Sequence, residues 1–170
     1  MIRGVSDDGF REVFDRTFPL AERVARRITG DAGVAEELAA ESLTRLFVRW
    51  PRLKGEKYVD AWVIRVATNL AIGVARRRVP EARAELTQGS GEDQTVLRVA
   101  LAEALSRLPR RQRQVVALRY LSDLSERDVA SMLGVSAGAV KTHLHRALGV
   151  LRERLGAPDD ETVEVHLARD

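Results

Sequence analysis

Apolar side chains recur every three or four positions along most of the chain, and this spacing predicts helices rather than strands. In the first half of the chain it predicts three helices, over about residues 7–28, 33–50 and 59–78. Proline lacks the amide hydrogen that continues a helix, so we expect Pro19 to kink or interrupt the first helix. For the same reason we expect Pro51 to end the second.

The second half of the chain carries the same periodicity. It predicts a helix over 95–105, another that begins after Pro109, and a helical hairpin over 124–151. The stretch between the two halves is rich in Gly, Ser and acidic residues and poor in apolar ones, which is typical of a linker. The fold class we predict is all-α, with two small helical domains joined by a flexible linker. We predict an N-terminal helical bundle over 7–80, the linker over 81–95, a C-terminal helix-turn-helix domain over 96–155 and an acidic tail over 156–170.

The hairpin over 124–151 has the features of a helix-turn-helix. Ser125 can cap the first helix, with Asp128 three residues later as the acidic partner of a capping box. Gly134 suits the left-handed position that ends a helix, and Ser136 can cap the second helix. A unit of this kind presents a helix of the right width to the DNA major groove.

The second helix of this hairpin separates apolar from polar side chains. Val140, Leu144 and Leu151 share one stripe, which predicts the side that packs on the rest of the domain. The other side is small and basic, so the start of the helix can come close to a phosphate or a base edge. An ordinary amphipathic hairpin with a solvated basic face would show the same pattern. The candidate DNA-contacting residues are Ala137, Gly138, Lys141, Thr142, His145 and Arg146.

The third helix carries a second candidate surface for nucleic acid. An aromatic ring, an amide and several guanidinium groups fall on one side of it. The ring can stack on an unpaired base, the guanidinium groups can neutralise phosphates, and the amide can read a base edge. The alternative is that the tryptophan is a partly buried core residue and the arginines are ordinary surface charges. These residues are Trp62, Arg65, Asn69, Arg76 and Arg77.

The outer face of the second helix mixes carboxylates with aliphatic side chains. Glu37, Leu38, Glu41, Arg45 and Val48 lie on it. DNA phosphates would repel the two glutamates, so this face suits a protein partner better than DNA. A solvated helix face with an ion pair between Glu41 and Arg45 explains the spacing equally well.

Composition restricts the possible function classes. The 170-residue chain is 45% hydrophobic and 31% charged, with a net charge of only +3, so the local clustering of basic residues matters more than their sum. It contains no cysteine, which excludes disulfides and zinc-thiolate sites and is compatible with a reducing cytoplasm. No apolar run reaches the length that spans a bilayer, and the first residues do not resemble a signal peptide. We expect a soluble cytoplasmic protein without membrane insertion.

The sequence does not suggest an enzyme. The three histidines have no metal-ligand arrangement, because His143 and His145 are two positions apart on one helix and point in different directions. The carboxylates of the second helix have no partnering histidine, and no glycine-rich phosphate loop follows a strand. We therefore expect no catalytic residue, no metal and no cofactor.

Three segments in this order resemble bacterial RNA polymerase sigma factors of the sigma-70 family, in the extracytoplasmic-function group. GDAGVAEELAAESLTRLFVRW resembles the acidic helix of that family that grips core polymerase. AWVIRVATNLAIGVARRR is similar to its promoter-melting helix. LPRRQRQVVALRYLSDLSERDVASMLGVSAGAVKTHLHRAL is similar to its C-terminal promoter-reading domain. The resemblance covers nearly the whole chain.

The resemblance implies a role for each candidate surface. It implies core RNA polymerase and promoter DNA as partners, often with an anti-sigma protein that holds such a factor inactive, and a nucleoid-associated place in the cytoplasm. Glu37, Leu38 and Glu41 would bind the polymerase clamp. Trp62, Arg65, Asn69, Arg76 and Arg77 would engage and help open the minus-ten element. Ser136, Ala137, Gly138, Lys141, Thr142, His145 and Arg146 would read the minus-thirty-five element, with phosphate contacts from Arg110, Arg111 and Arg113.

Two positions depart from the family pattern. Ala40 stands where a glutamine is common in the clamp-binding helix, and Gly73 stands where an aspartate is usual in the melting helix. A stand-alone helix-turn-helix regulator is the alternative function. Such a regulator usually binds DNA as a dimer, and this chain shows neither a dimerisation heptad nor a sensor pattern in its first half.

Overall fold

The computed structural model describes residues 9–77 and 92–156, with side chains in the second range from residue 95. Every regular element in these residues is helical, which confirms the all-α prediction. A five-residue π-helical segment, Ala117–Leu121, continues the fifth helix. The helices are α1 (Phe10–Thr29), α2 (Ala32–Leu53), α3 (Val59–Arg77), α4 (Glu92–Arg107), α5 (Arg110–Val116), α6 (Glu126–Leu133) and α7 (Ala137–Leu155).

Neither proline breaks its helix, so the predicted interruption at Pro19 and the predicted helix end at Pro51 are wrong. Helix α1 runs without a break through Pro19, and α2 continues past Pro51 to Leu53. Both prolines are exposed, so the carbonyl that each leaves without an amide partner can be hydrated. Buried Thr17 and Ala21 flank Pro19, and the partly buried Leu53 follows Pro51, and these side chains keep their packing because each helix continues. Tertiary packing therefore outweighs the local cost of the proline.

Helices α1, α2 and α3 form the N-terminal bundle. Small side chains dominate where these helices meet, and such side chains let helix backbones approach closely. At the start of the bundle the ring of Phe10 lies 5.1 Å from that of Phe47 and 5.4 Å from that of Trp50, both edge to face. The fully buried alanines of the bundle are Ala21, Ala25, Ala35, Ala39, Ala67 and Ala71.

Helices α4 to α7 form the C-terminal unit, and its helix-turn-helix has the predicted caps. The hydroxyl of Ser125 accepts the Asp128 amide at 3.2 Å and donates to the Asp128 carboxylate at 2.6 Å. Gly134 ends α6 with a φ of 64°, a conformation that costs glycine little. The Ser136 hydroxyl accepts the Ala139 amide at 3.1 Å and begins α7. The predictions for Ser125, Gly134 and Ser136 are confirmed, whereas the Asp128 carboxylate binds the Ser125 hydroxyl and not the Ser125 amide that a capping box would use.

The predicted linker and tail lie largely outside the described residues. Helix α4 already begins at Glu92, so the last residues of the predicted linker over 81–95 are helical instead. The tail prediction, 156–170, falls outside apart from Gly156, which ends α7. In the two described ranges no helix is both long enough and apolar enough to cross a membrane.

The two units pack against each other. Helix α4 lies against α1 and α3, α5 lies against α3, and the buried apolar residues form one continuous cluster through both units. At the turn between α1 and α2, the guanidinium of Arg98 from α4 lies only 2.5 Å from where a Cβ of Gly30 would be. A side chain at Gly30 would therefore displace Arg98 from the junction.

Candidate promoter and polymerase surfaces

The predicted DNA-reading face of α7 is open to solvent. All seven candidate residues, from Ser136 to Arg146, are exposed, while Val140, Leu144 and Leu151 on the opposite side are buried. The structure therefore leaves the whole candidate set accessible at the start of α7. A capped helix with an exposed basic side has the width and the charge that suit a DNA major groove.

Two contacts hold side chains on this face. Thr142 donates its hydroxyl hydrogen to the Gly138 carbonyl at 2.9 Å, which orients the hydroxyl along the helix. The ammonium of Lys141 lies 3.9 Å from a carboxylate oxygen of Glu126 on α6. The Lys141 side chain is 71% exposed, and an ion pair that exposed is weak. Glu126 therefore restrains the Lys141 side chain only weakly.

On the predicted polymerase face of α2, one carboxylate is paired with an arginine of the same helix. Glu37 and Glu41 are exposed, and the Glu41 carboxylate accepts a hydrogen bond from Arg45 at 2.8 Å, the ion pair that the spacing predicted. Leu38 is half-buried and packs against the core, whereas Val48 is 73% exposed. The face offers one free carboxylate, one paired carboxylate and an exposed aliphatic side chain.

The predicted minus-ten face of α3 is less accessible than the α7 face. Trp62 is half-buried and packs against the core, as the alternative interpretation of this residue expected. The guanidinium carbons of Arg49 and Arg65 lie 5.8 and 5.9 Å from the centre of its rings. Only Asn69 and the arginines at the end of α3, Arg76 and Arg77, are exposed.

Helix α5 lies next to this minus-ten face. The guanidinium of Arg113 donates to the side-chain carbonyl of Asn69 at 3.4 Å, and the Arg65, Arg110 and Gln114 side chains line the same cleft. Burial, and then the charge of Arg110, lowers the pKa of the Arg65 guanidinium. Two surfaces that the sequence predicted separately therefore face each other across one cleft.

The sequence analysis missed the polar contacts that join the two units. Both carboxylate oxygens of Asp123 accept hydrogen bonds from Arg27 at 3.0 Å, and Arg27 also donates to the Tyr120 carbonyl. Arg23 donates to the Ser122 carbonyl at 3.1 Å. We call this set of contacts the interdomain latch. Arg23 and Arg27 are one helical turn apart, a spacing visible in the sequence, but nothing local indicates a partner about a hundred positions away.

Comparison with known families and proteins agrees with this geometry. Residues 13–80 match the family profile described as Sigma-70 region 2, and residues 98–151 match the profile described as Sigma-70, region 4. The first range contains the α2 and α3 faces, and the second contains the arginines of α5 and the helix-turn-helix.

Individual relatives carry the same description. The chain is 37% identical to an RNA polymerase sigma-E factor of Streptomyces coelicolor over 142 residues, 81% of this chain and 80% of the relative. It is 30% identical to the ECF RNA polymerase sigma factor SigL of Mycobacterium tuberculosis over 153 residues, 84% of this chain and 86% of that one.

Among solved structures, the sigma factor RpoE of Bartonella quintana, crystallised with the anti-sigma factor NepR, matches 89% of this chain and 99% of its own at 21% identity and a TM-score of 0.47. The two family profiles and the sequence relatives lead to one conclusion. The protein belongs to the sigma-70 family of RNA polymerase sigma factors, in its extracytoplasmic-function group.

Proposed function

We propose that this sigma factor divides its work among three surfaces on separate helices. A sigma factor is a transcription initiation factor that directs RNA polymerase to promoters. In this chain, α2 would bind the polymerase clamp, α3 would engage the minus-ten element and α7 would read the minus-thirty-five element. The observation that carries the proposal is the exposure of every candidate side chain on α7 in a capped helix-turn-helix.

The assignment of the minus-thirty-five element to α7 rests on the chemistry of its exposed face. Lys141 and His145 are exposed and can donate hydrogen bonds to base edges, while Gly138 leaves the start of the helix without a bulky side chain. The three arginines of α5 add positive charge that suits the phosphate backbone. They are Arg110, Arg111 and Arg113.

The assignment of the minus-ten element to α3 requires the two units to separate. The names minus-ten and minus-thirty-five place the two promoter elements about 25 base pairs apart. This spacing is about 85 Å of B-form DNA at 3.4 Å per base pair. Helices α3 and α7 have 19 residues each, so at 1.5 Å per residue each is about 28 Å long and the two would span only about 57 Å end to end. With Asn69 and Arg113 in hydrogen-bond contact, the α3 face and the α7 face cannot both reach their elements.

The assignment of polymerase to α2 rests on Glu37, Glu41 and the exposed Val48. Carboxylates beside an aliphatic side chain suit a basic and apolar protein surface rather than DNA. The same face suits an anti-sigma protein, which we include among the proposed partners. The chain would carry no catalytic residue of its own, and it would act in the cytoplasm in association with the nucleoid.

Reconstituted transcription tests this proposal. Core polymerase with the full chain should initiate at a specific set of promoters, and core polymerase alone should not initiate there. The variant Lys141→Ala with His145→Ala should lose minus-thirty-five preference, while Arg127→Ala, an exposed change on α6 outside that face, should keep it. Equal initiation with and without the chain at every promoter would overturn the proposal.

A further inference from the structure

A cleft between the two units concentrates arginine side chains from both of them. One part of it, a cavity of about 310 Å³, is lined by Arg65 and Asn69 of α3 and by Arg110 and Arg113 of α5. A neighbouring cavity of about 400 Å³ shares Arg65 and Arg110 and adds Arg111. Four guanidinium groups therefore border these two adjoining cavities.

The positive charge in this cleft is not balanced by its walls. Among the described residues that line the two cavities, none is acidic. Burial lowers the pKa of the Arg113 guanidinium, and burial together with the charge of Arg110 lowers that of Arg65. Both shifts indicate guanidinium groups that would be stabilised by a negative charge placed between them.

A buried amide in the cleft also lacks a partner. Gln114 is 8% exposed and lines both cavities, and its side-chain oxygen is buried without a hydrogen bond. A glutamine amide can be turned so that its NH₂ group takes the place of the oxygen, and in that orientation it donates hydrogen bonds. An anion in the cleft would reach this amide only if the Gln114 side chain moved toward the cavity, because its oxygen is shielded from solvent here.

We propose that this cleft binds a compact multivalent phosphate, such as pyrophosphate or the phosphate chain of a nucleotide. The planar guanidinium group matches phosphate oxygens with paired hydrogen bonds, and a multivalent anion can contact Arg65 and Arg110 at once. Tyr58 and Trp62 border the neighbouring cavity, so a nucleotide base that entered it would contact their side chains. The ligand would be held by both units together.

Such a ligand would favour the packed arrangement of the two units. A ligand that contacts Arg65 of one unit and Arg110 of the other loses half its partners when the units separate. At a concentration of 100 times its dissociation constant it would shift the equilibrium toward the packed form by at most about a hundredfold, the limit for a ligand that does not bind the separated form. Under the proposed function the packed form cannot reach both promoter elements, so this ligand would compete with promoter binding. Binding of the ligand itself does not rest on the proposed function.

Isothermal titration calorimetry of the full chain with sodium pyrophosphate, at constant ionic strength, tests the proposal. We expect saturable binding of about one pyrophosphate per chain, and binding at least tenfold weaker in Arg65→Gln and in Arg110→Gln. That loss corresponds to about 1.4 kcal/mol or more. Arg127→Gln is the matched control, because Arg127 is an exposed arginine on α6 that does not line the cleft. It should bind as tightly as the unchanged chain, within about twofold.

A second titration with ADP distinguishes the sources of the phosphate. Tighter binding of ADP than of pyrophosphate, lost in Trp62→Ala, would identify a nucleotide site, and equal binding would identify a phosphate site without base recognition. Arg110 is exposed, so its variant should fold even if that of Arg65 does not. No saturable binding, or equal weakening in Arg127→Gln, would mean an adventitious ion only and would overturn the proposal. Neither titration uses polymerase or promoter DNA, so failure here leaves the proposed function standing.

Discussion

The interdomain latch makes a quantitative prediction about how the two units separate. Asp123 accepts two hydrogen bonds from Arg27 at 3.0 Å, and the Arg23 guanidinium lies 3.7 Å from one of the same oxygens. The Arg27 side chain is only 10% exposed, which shields the pair from water, although Asp123 is 51% exposed. In Asp123→Asn the negative charge is lost and only one of the two acceptors remains. Arg27 keeps its hydrogen bond to the Tyr120 carbonyl.

The size of the effect follows from this geometry. A fully exposed ion pair contributes about 0.2–1 kcal/mol, and a hydrogen bond to a charged group contributes about 1.5–3 kcal/mol. The latch lies between these cases, so we expect Asp123→Asn to cost the packed form about 1–2 kcal/mol. That is about a 5- to 30-fold change in the ratio of packed to separated molecules. If about 95% of the molecules were packed, that fraction would fall to between about 80% and 40%.

Single-molecule energy transfer measures this ratio directly. The chain has no cysteine, so Glu36→Cys on α2 and Glu153→Cys on α7 provide two unique and exposed labelling sites. The separated population should grow in Asp123→Asn. It should grow in the unchanged chain when salt is added, because salt screens the partly exposed pair.

Asp60→Asn is the matched control for the latch. Arg16 donates to both oxygens of Asp60 at 2.7 and 2.8 Å, in the same two-pronged geometry, but this pair lies inside the N-terminal unit. Its loss should lower the stability of that unit without changing the distance between the labels. The reasoning about the latch would be refuted if Asp123→Asn left the distance distribution unchanged, or if Asp60→Asn shifted it equally.

Three further predictions concern the other sites. Lys141→Ala and His145→Ala should each weaken binding to a minus-thirty-five duplex by about 1–3 kcal/mol in a mobility-shift titration, because each would remove a base contact. An unchanged sequence preference would contradict the assignment of the α7 face to this element. Glu37→Lys should lower affinity for core polymerase in a pull-down at unchanged melting temperature, because Glu37 is exposed. Gly30→Ala should lower the free energy of unfolding in urea by at least about 1 kcal/mol because of its φ of 72°. Gly149→Ala should raise it, because Gly149 lies inside α7 and an added Cβ there would meet nothing within 4 Å beyond its own helix.

Local chemistry made the helix-turn-helix predictable from the chain. The caps of α6 and α7 depend on side chains within three residues of the backbone groups that they satisfy, so Ser125 and Ser136 could be identified without any tertiary information. The exposed face of α7 followed from the 3.6-residue period in the same way. The prediction failed where distant packing competes with a local preference, as at Pro19 and Pro51.

The amino-acid sequence alone determined the helical class, the two units, the caps of the helix-turn-helix and the polar face of α7, because each of these depends on neighbours in the chain. Only the tertiary structure decided that the two units share one apolar cluster, that Arg27 meets Asp123, and that Asn69 faces Arg113. These contacts join residues 44 to 96 positions apart. Periodicity indicates which side of a helix is buried, but it carries no information about which distant helix covers it.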